Sequence, residues 1–209
     1  MTLDPPAERP RNAAATRAAI LESAVVAFTR SGYDGAGVRE IAQAAGVTAM
    51  LVIRYFGSKE QLFREVVDVV LAPPTIVPED SATLAHRVAE TLAARTTPEA
   101  EHLDPFLLML RSASNPRANE IVRAGIERYA GRRLAALLPG PRPDERSELL
   151  LSLIAGVWLL RKVVGTTALA AMEPADLTRR LEEVFGAAIA PDPDEPADRG
   201  RAESGGAVE

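Results

Sequence analysis

A few polar side chains near the start of the chain have the types and spacing to grip phosphate and read base edges. Arg39, Thr48, Arg54, Tyr55 and Lys59 lie in one short stretch, with Arg17 upstream. A guanidinium pairs with phosphate or takes both acceptors on a guanine edge, and a lysine acts as a point charge. The parts for covalent chemistry are missing. Without cysteine, disulfides, thiol catalysis and Cys-ligated zinc are excluded. The two histidines, His86 and His102, are too few for a histidine-built metal cluster. There is no glycine-rich phosphate loop, no G-x-S-x-G and no histidine in a nucleophile arrangement. His102 lies near Asp104 at a predicted helix start, where capping accounts for Asp104. No catalytic residue, metal or cofactor is expected, and the chain does not read as an enzyme.

The frame for those polar residues is the stretch 37–59, GVREIAQAAGVTAMLVIRYFGSK. VREIAQAA is built of helix formers, with Val38, Ile41, Ala42 and Ala45 on one apolar face. Gly46 breaks it, since glycine takes the left-handed conformation that ends a helix and redirects the chain. Thr48 is placed to cap the next helix, AMLVIRYF, which stops at Gly57, and Ser58 is placed to cap the one after. Two short helices about a glycine-containing turn describe a helix-turn-helix over about residues 37–56, whose second helix can enter the DNA major groove. Lys59, in the first turn of the following helix, stands where free N–H groups also favour phosphate.

The pattern extends well beyond the turn. Thr16, Arg17, Ile20, Leu21, Ala24 and Phe28 precede Gly32-Tyr33. Ile41-Ala42, Ala45-Gly46-Val47, Tyr55-Phe56-Gly57-Ser58-Lys59 and Leu62-Phe63 follow. Over about residues 13–71 the chain resembles the TetR family of one-component bacterial transcriptional regulators. That resemblance implies an all-α fold of about nine helices, with a three-helix helix-turn-helix head on a helical ligand-binding and dimerisation body.

Four positions depart from the family. Gly37 stands where a capping threonine is usual, and glycine provides no side-chain bond. Met50 and Leu51 stand where the family has a small residue and then threonine. Ile53 replaces a tyrosine that, in the family, bonds a DNA phosphate, so one positioning contact is lost. Thr48, Ala49, Met50, Leu51, Arg54, Tyr55 and Lys59, with Arg17 and Arg39, are the candidate DNA-binding residues. Arg54 is directed to phosphate or to a guanine edge. Met50 and Leu51 have two readings: each reaches thymine methyl groups, or one of them is core. Val52 and Phe56 read as core.

Charge agrees with a local interface. Residues 1–72 hold eight basic and eight acidic side chains, whereas residues 73–209 hold sixteen and twenty-one, giving the formal net charge of −5. A neutral head on an acidic body fits DNA binding through one face rather than a global field. The N-terminus lacks an apolar signal core, and the most apolar stretch, residues 149–160, falls short of the roughly 20 residues that span a bilayer. A cytoplasmic protein without a membrane partner is expected.

Four regions follow. Residues 1–12 read as a disordered arm, in which Arg9 and Arg11 either touch DNA or are simply solvated. Residues 13–72 form the DNA-binding head. The prolines of PPTIVPED, residues 73–80, end its last helix and set the boundary. Residues 73–190 form the helical body, and the acidic, Pro/Gly-rich residues 191–209 a disordered tail.

The body has two expected tasks. One is to pair two copies on a palindromic operator, because two reading helices multiply affinity and specificity. The helix at 147–164 is apolar almost all round, with small residues for close approach, so it is buried in its own domain or shared with a partner. Ser152, Ala155, Gly156 and Leu159, with Leu177, Leu181, Val184 and Phe185 on the last helix, are the candidate homodimer interface. The other task is to hold a small hydrophobic effector. Phe106, Met109, Leu110, Tyr129 and Trp158 are candidate lining residues and Arg161 a polar anchor, although such residues also read as plain core. The expectation is a dimeric regulator, by analogy with the family a repressor, that binds double-stranded DNA. The alternative is a helical ligand- or protein-binding dimer with weak or no operator-specific DNA binding, for which Ile53 and Gly37 speak.

Overall fold

Helices begin where the sequence supplies caps. The Thr48 hydroxyl accepts from the Leu51 N–H at 3.3 Å, Ser58 from Gln61 at 3.0 Å and the Asn115 side chain from Ala118 at 3.0 Å, with Pro116 opening that last helix. The structure, a computed structural model, describes residues 8–72, 83–97 and 105–191, with side chains from residue 13 onward. Arg9 and Arg11 as DNA contacts, residues 73–80, the His102–Asp104 pair and the tail beyond Pro191 lie outside what is described.

Among the described residues every regular element is helical: α1 (Glu8–Gly35), α2 (Val38–Ala44), α3 (Ala49–Phe56), α4 (Lys59–Leu71), α5 (Leu84–Arg95), α6 (Pro105–Ser112), α7 (Pro116–Ile126), α8 (Arg132–Leu137), α9 (Pro143–Trp158), α10 (Thr167–Ala170) and α11 (Pro174–Ile189). Two π-helical segments, Glu127–Gly131 and Leu159–Val164, extend α7 and α9. The helix expected at residue 13 begins at Glu8.

The chain divides into two compact units, one from residues 1–73 with 101–129, the other from 74–100 with 130–209. Helices α6 and α7, assigned to the body from sequence, therefore belong with the head. In that first unit α1 packs on α2, α4 and α6, and α4 packs on α7. Its core holds Ile20, Ala24, Phe28, Ile41, Val52, Phe56, Leu62, Phe63, Val66 and Leu108. Phe28 and Tyr33 each stand edge-on to Phe63 with ring centroids 5.0 Å apart, a geometry in which ring edges meet ring faces.

Gly32 makes the α1–α6 packing possible. It interrupts α1 with φ 69° and ψ −178°, a combination essentially closed to other residues. A Cβ there would lie 2.3 Å from the Arg111 carbonyl oxygen. Around this close approach the Arg111 guanidinium donates to the Thr29 carbonyl at 2.7 Å and the Tyr33 N–H donates to Ser112 Oγ at 3.2 Å. Asn115 then donates to Asp34 Oδ1 at 2.8 Å.

The second unit is organised on α5. Leu84, Val88, Ala89, Leu92 and Ala93 of α5 are buried, and α11 packs along that helix. His86 Nδ1 lies 2.9 Å from Glu182 Oε2 across the α5–α11 pair; that hydrogen bond and the carboxylate's charge raise the imidazole pKa. Leu150, Ile154 and Trp158 of α9 are buried as well.

Two glycines give opposite expectations. Gly32→Ala combines a forbidden backbone angle with a backbone clash, so it should destabilise the first unit by at least about 2 kcal/mol, measured by denaturant unfolding. Gly37, the N-cap of α2, has extended dihedrals (φ −91°, ψ 137°), no side-chain cap bond and no neighbour closer than 4.0 Å to an added Cβ. Gly37→Thr should raise stability by a few tenths of a kcal/mol.

Candidate nucleic-acid interface

Helix α3 has two distinct sides. Val52 and Phe56 are buried in the core of the first unit, while Ala49 and Tyr55 are half-buried against it. Met50, Ile53 and Arg54 lie on the opposite side at i, i+3 and i+4, the spacing that puts residues on one helical face. Met50 is 83% exposed and Ile53 42%; Arg54 is exposed too. Of the two readings open for Met50 and Leu51, Met50 points outward and Leu51 is half-buried on the flank. Gly46, at φ 68°, turns the chain between α2 and α3 in the left-handed conformation expected of it.

The four candidate cations differ in their surroundings. Arg39 and Arg54 are exposed and make no ion pair among the described residues. Lys59 opens α4 with its Nζ 4.7 Å over the Tyr33 ring. Burial lowers its pKa, opposed by the carboxylate of Asp34. The same environment acts in the other direction on Tyr33, whose phenol is raised first by burial and then by Glu60 and Asp34. Arg17 is already engaged. It pairs with Glu65 and lies 4.7 Å over the Phe56 ring. Its position ties α1 to α4 and covers the end of α3, and it is not an arm free for phosphate.

The head is braced from behind. Arg30 donates to Glu40 at 2.8 Å, linking α1 to α2. Glu60 accepts from Arg117 at 3.2 Å, and Asp68 accepts from Arg128 at 3.2 Å and from the Tyr129 hydroxyl at 3.1 Å, linking α4 to α7 and the π-helical segment after it. Each exposed pair contributes at most about 1 kcal/mol. Closer packing comes from Gly125, where an added Cβ would stand 2.6 Å from Val67 Cγ1.

The remaining sequence candidates separate. Phe106, Met109, Leu110 and Tyr129 belong to the first unit, Trp158 and Arg161 to the second. Phe106, Met109 and Tyr129 are half-buried and Leu110 is exposed. Arg161 is 5% exposed: its Nη2 donates to the Met172 carbonyl at 2.9 Å, while its Nε and Nη1 are buried without a hydrogen-bond partner. Burial lowers its pKa, partly offset by Glu173.

Three expected interface residues are corrected. Leu177, Leu181 and Phe185 are 2%, 7% and 0% exposed, because α11 turns them into its own unit, where it packs on α5 and α9. Val184 and Ser152 remain exposed; Ala155, Gly156 and Leu159 are half-buried, with open space beside the Gly156 Cα. Sequence reasoning missed Leu149, Leu160, Val163 and Val164, all exposed. Their spacing through Ser152 and Gly156 follows one helical stripe, a signal hidden by the apolar residues on every side of α9.

Comparison with known proteins agrees with this arrangement. Residues 20–66 match the family described as bacterial regulatory proteins, tetR family, and residues 82–189 match the tetracyclin repressor-like C-terminal domain. RutR of Escherichia coli K12, an HTH-type transcriptional regulator, is 38% identical over 82 residues, covering 37% of this chain and 39% of RutR. The chain thus spans about two-fifths of the length of that curated relative. NalD of Pseudomonas aeruginosa, the secondary repressor of a multidrug efflux pump, has a similar fold with a TM-score of 0.59 at 24% identity, over 87% of this chain and 98% of NalD. The multidrug binding protein EbrR, solved with proflavin, gives 0.57 at 20% identity over 83% and 99%. A helix-turn-helix with a free, outward-facing α3, on a chain matched through both its N-terminal and C-terminal regions, belongs to the TetR family of DNA-binding transcriptional regulators.

Proposed function

We propose that the protein is a homodimeric repressor that binds a palindromic operator through α3 and releases it when a small molecule binds the second unit. The observation that carries DNA reading is the outward face of α3, with Arg54 unpaired and Lys59 at the start of α4. Arg54 suits guanine or phosphate, Arg39 and Lys59 suit phosphate, and Thr48 stands at the N-terminal end of the reading helix. No helix among the described residues is long and apolar enough to cross a membrane, in keeping with action on DNA in the cytoplasm.

Dimerisation is supported by the stripe Leu149, Ser152, Gly156, Leu160 and Val163, with Val184 on α11. A stripe of this kind in a chain whose relatives are regulators fits the self-complementary face of a two-fold dimer. Effector release is supported by EbrR, which binds proflavin, and by Arg161, whose two unpartnered nitrogens suit a polar group on an otherwise apolar ligand. Such a ligand releases DNA only by binding the DNA-incompetent state more tightly. The exposed Ile53 favours the second reading, a helical dimer that reads little DNA.

Selection from random duplexes separates the two readings. Enrichment of an inverted repeat is expected, with Arg54→Ala costing about 1–3 kcal/mol and Lys59→Ala lowering the salt slope by about 1. No enriched sequence, with residual affinity lost in modest salt, would favour the second reading. Leu160→Glu, at an exposed position, should yield a folded monomer by sedimentation with greatly weakened operator affinity. A dimer that persists would move the interface elsewhere.

A further inference from the structure

The outward face of α3 is short of hydrogen-bonding groups, which limits what it can read. Its sequence, AMLVIRYF, contains no Asn, Gln, Asp, Glu, Ser, Thr or Lys. Adenine is normally read by Asn or Gln, and the cytosine amino group by a carboxylate; α3 offers neither. Tyr55 is half-buried against the core, and Thr48, whose oxygen accepts the Leu51 N–H, precedes α3 as its N-cap and keeps only a single hydroxyl donor for DNA. Within α3, Arg54 alone can take both acceptors of a guanine edge. Beside it on the same face stand a thioether chain 83% exposed and a branched aliphatic 42% exposed. Neither carries a donor or a strong acceptor. In the major groove the matching apolar feature is the methyl group at C5 of a pyrimidine.

We infer that this protein selects its operator through pyrimidine C5-methyl groups, read by Met50 and Ile53 beside one guanine contact from Arg54. The inference rests on α3 being the DNA-facing helix. Met50 is long and flexible and adapts to the groove; Ile53 is short and stiff at χ1 and fixes the register. Thymine and 5-methylcytosine carry the same methyl group in the same place, so either can be its source.

The test uses the full-length protein and its selected operator, resynthesised one position at a time. Replacing thymine by uracil deletes only the methyl group; replacing cytosine by 5-methylcytosine adds only one. Losing a methyl read by α3 should weaken binding about fourfold, the worth of one buried methyl, without changing the salt slope, because no phosphate contact is touched. Met50→Ala, at a surface position, should keep the salt slope and lose the sensitivity at its position, and Ile53→Ala at the other. Loss with uracil assigns the source to thymine, and gain with 5-methylcytosine assigns it to the methylated base. Affinity unmoved by every methyl deletion and addition overturns the inference while leaving DNA reading intact. Sensitivity that survives in both alanine variants overturns the assignment to these side chains. If no sequence is selected at all, the proposed function itself has failed and this inference falls with it.

Discussion

Between Gly32 and the Arg111 carbonyl there is room for a hydrogen atom and nothing larger, and the first unit depends on that contact. A Cβ at this point would sit 2.3 Å from the oxygen. Because glycine occupies the position, α6 lies directly on α1. The Arg111–Thr29, Tyr33–Ser112 and Asn115–Asp34 hydrogen bonds then close around the approach. Tyr33, the next residue, turns its ring to Phe28 and Phe63 and receives Lys59 on its face. Tyr33 thus ties α1 to Phe63 and Lys59 of α4, and α4 begins at Lys59, soon after α3 ends at Phe56.

Helix α3 is anchored on the core of the first unit. Two buried side chains, Val52 and Phe56, hold it from below, and the Thr48 and Gly57 termini fix its length. Arg17 covers Phe56 and is held in turn by Glu65. What faces outward is therefore specified by the residues that do not face inward. The cost of an outward methionine in water is small for a single side chain, so stability alone did not require a polar residue at position 50.

Much of this was legible in the chain because the signals are local. Caps at Thr48 and Ser58, the turn at Gly46, and the burial of Val52 and Phe56 all follow from residues within a turn or two of each other. The misses involve distant partners. Arg17 looked free because Glu65 lies 48 positions away. Leu177, Leu181 and Phe185 form a clear apolar face, but an amphipathic helix does not announce which surface covers it; α5 does, within the same unit. Helices α6 and α7 pack with the head through Gly32 and Gly125, two small residues whose neighbours no periodicity reveals. The stripe on α9 was blurred by apolar residues all round the helix, and exposure separates it from them.

A crystal structure of the full-length protein on its selected operator tests the central claim most directly, that the face of α3 opposite Val52 and Phe56 reads the major groove. The expected complex has α3 in the groove of each half-site, Arg54 on a guanine or a phosphate, Met50 and Ile53 against pyrimidine methyl groups, and Arg17 still on Glu65 and Phe56. A complex in which α3 faces solvent, or in which Arg17 leaves Glu65 to become the main DNA contact, would contradict it.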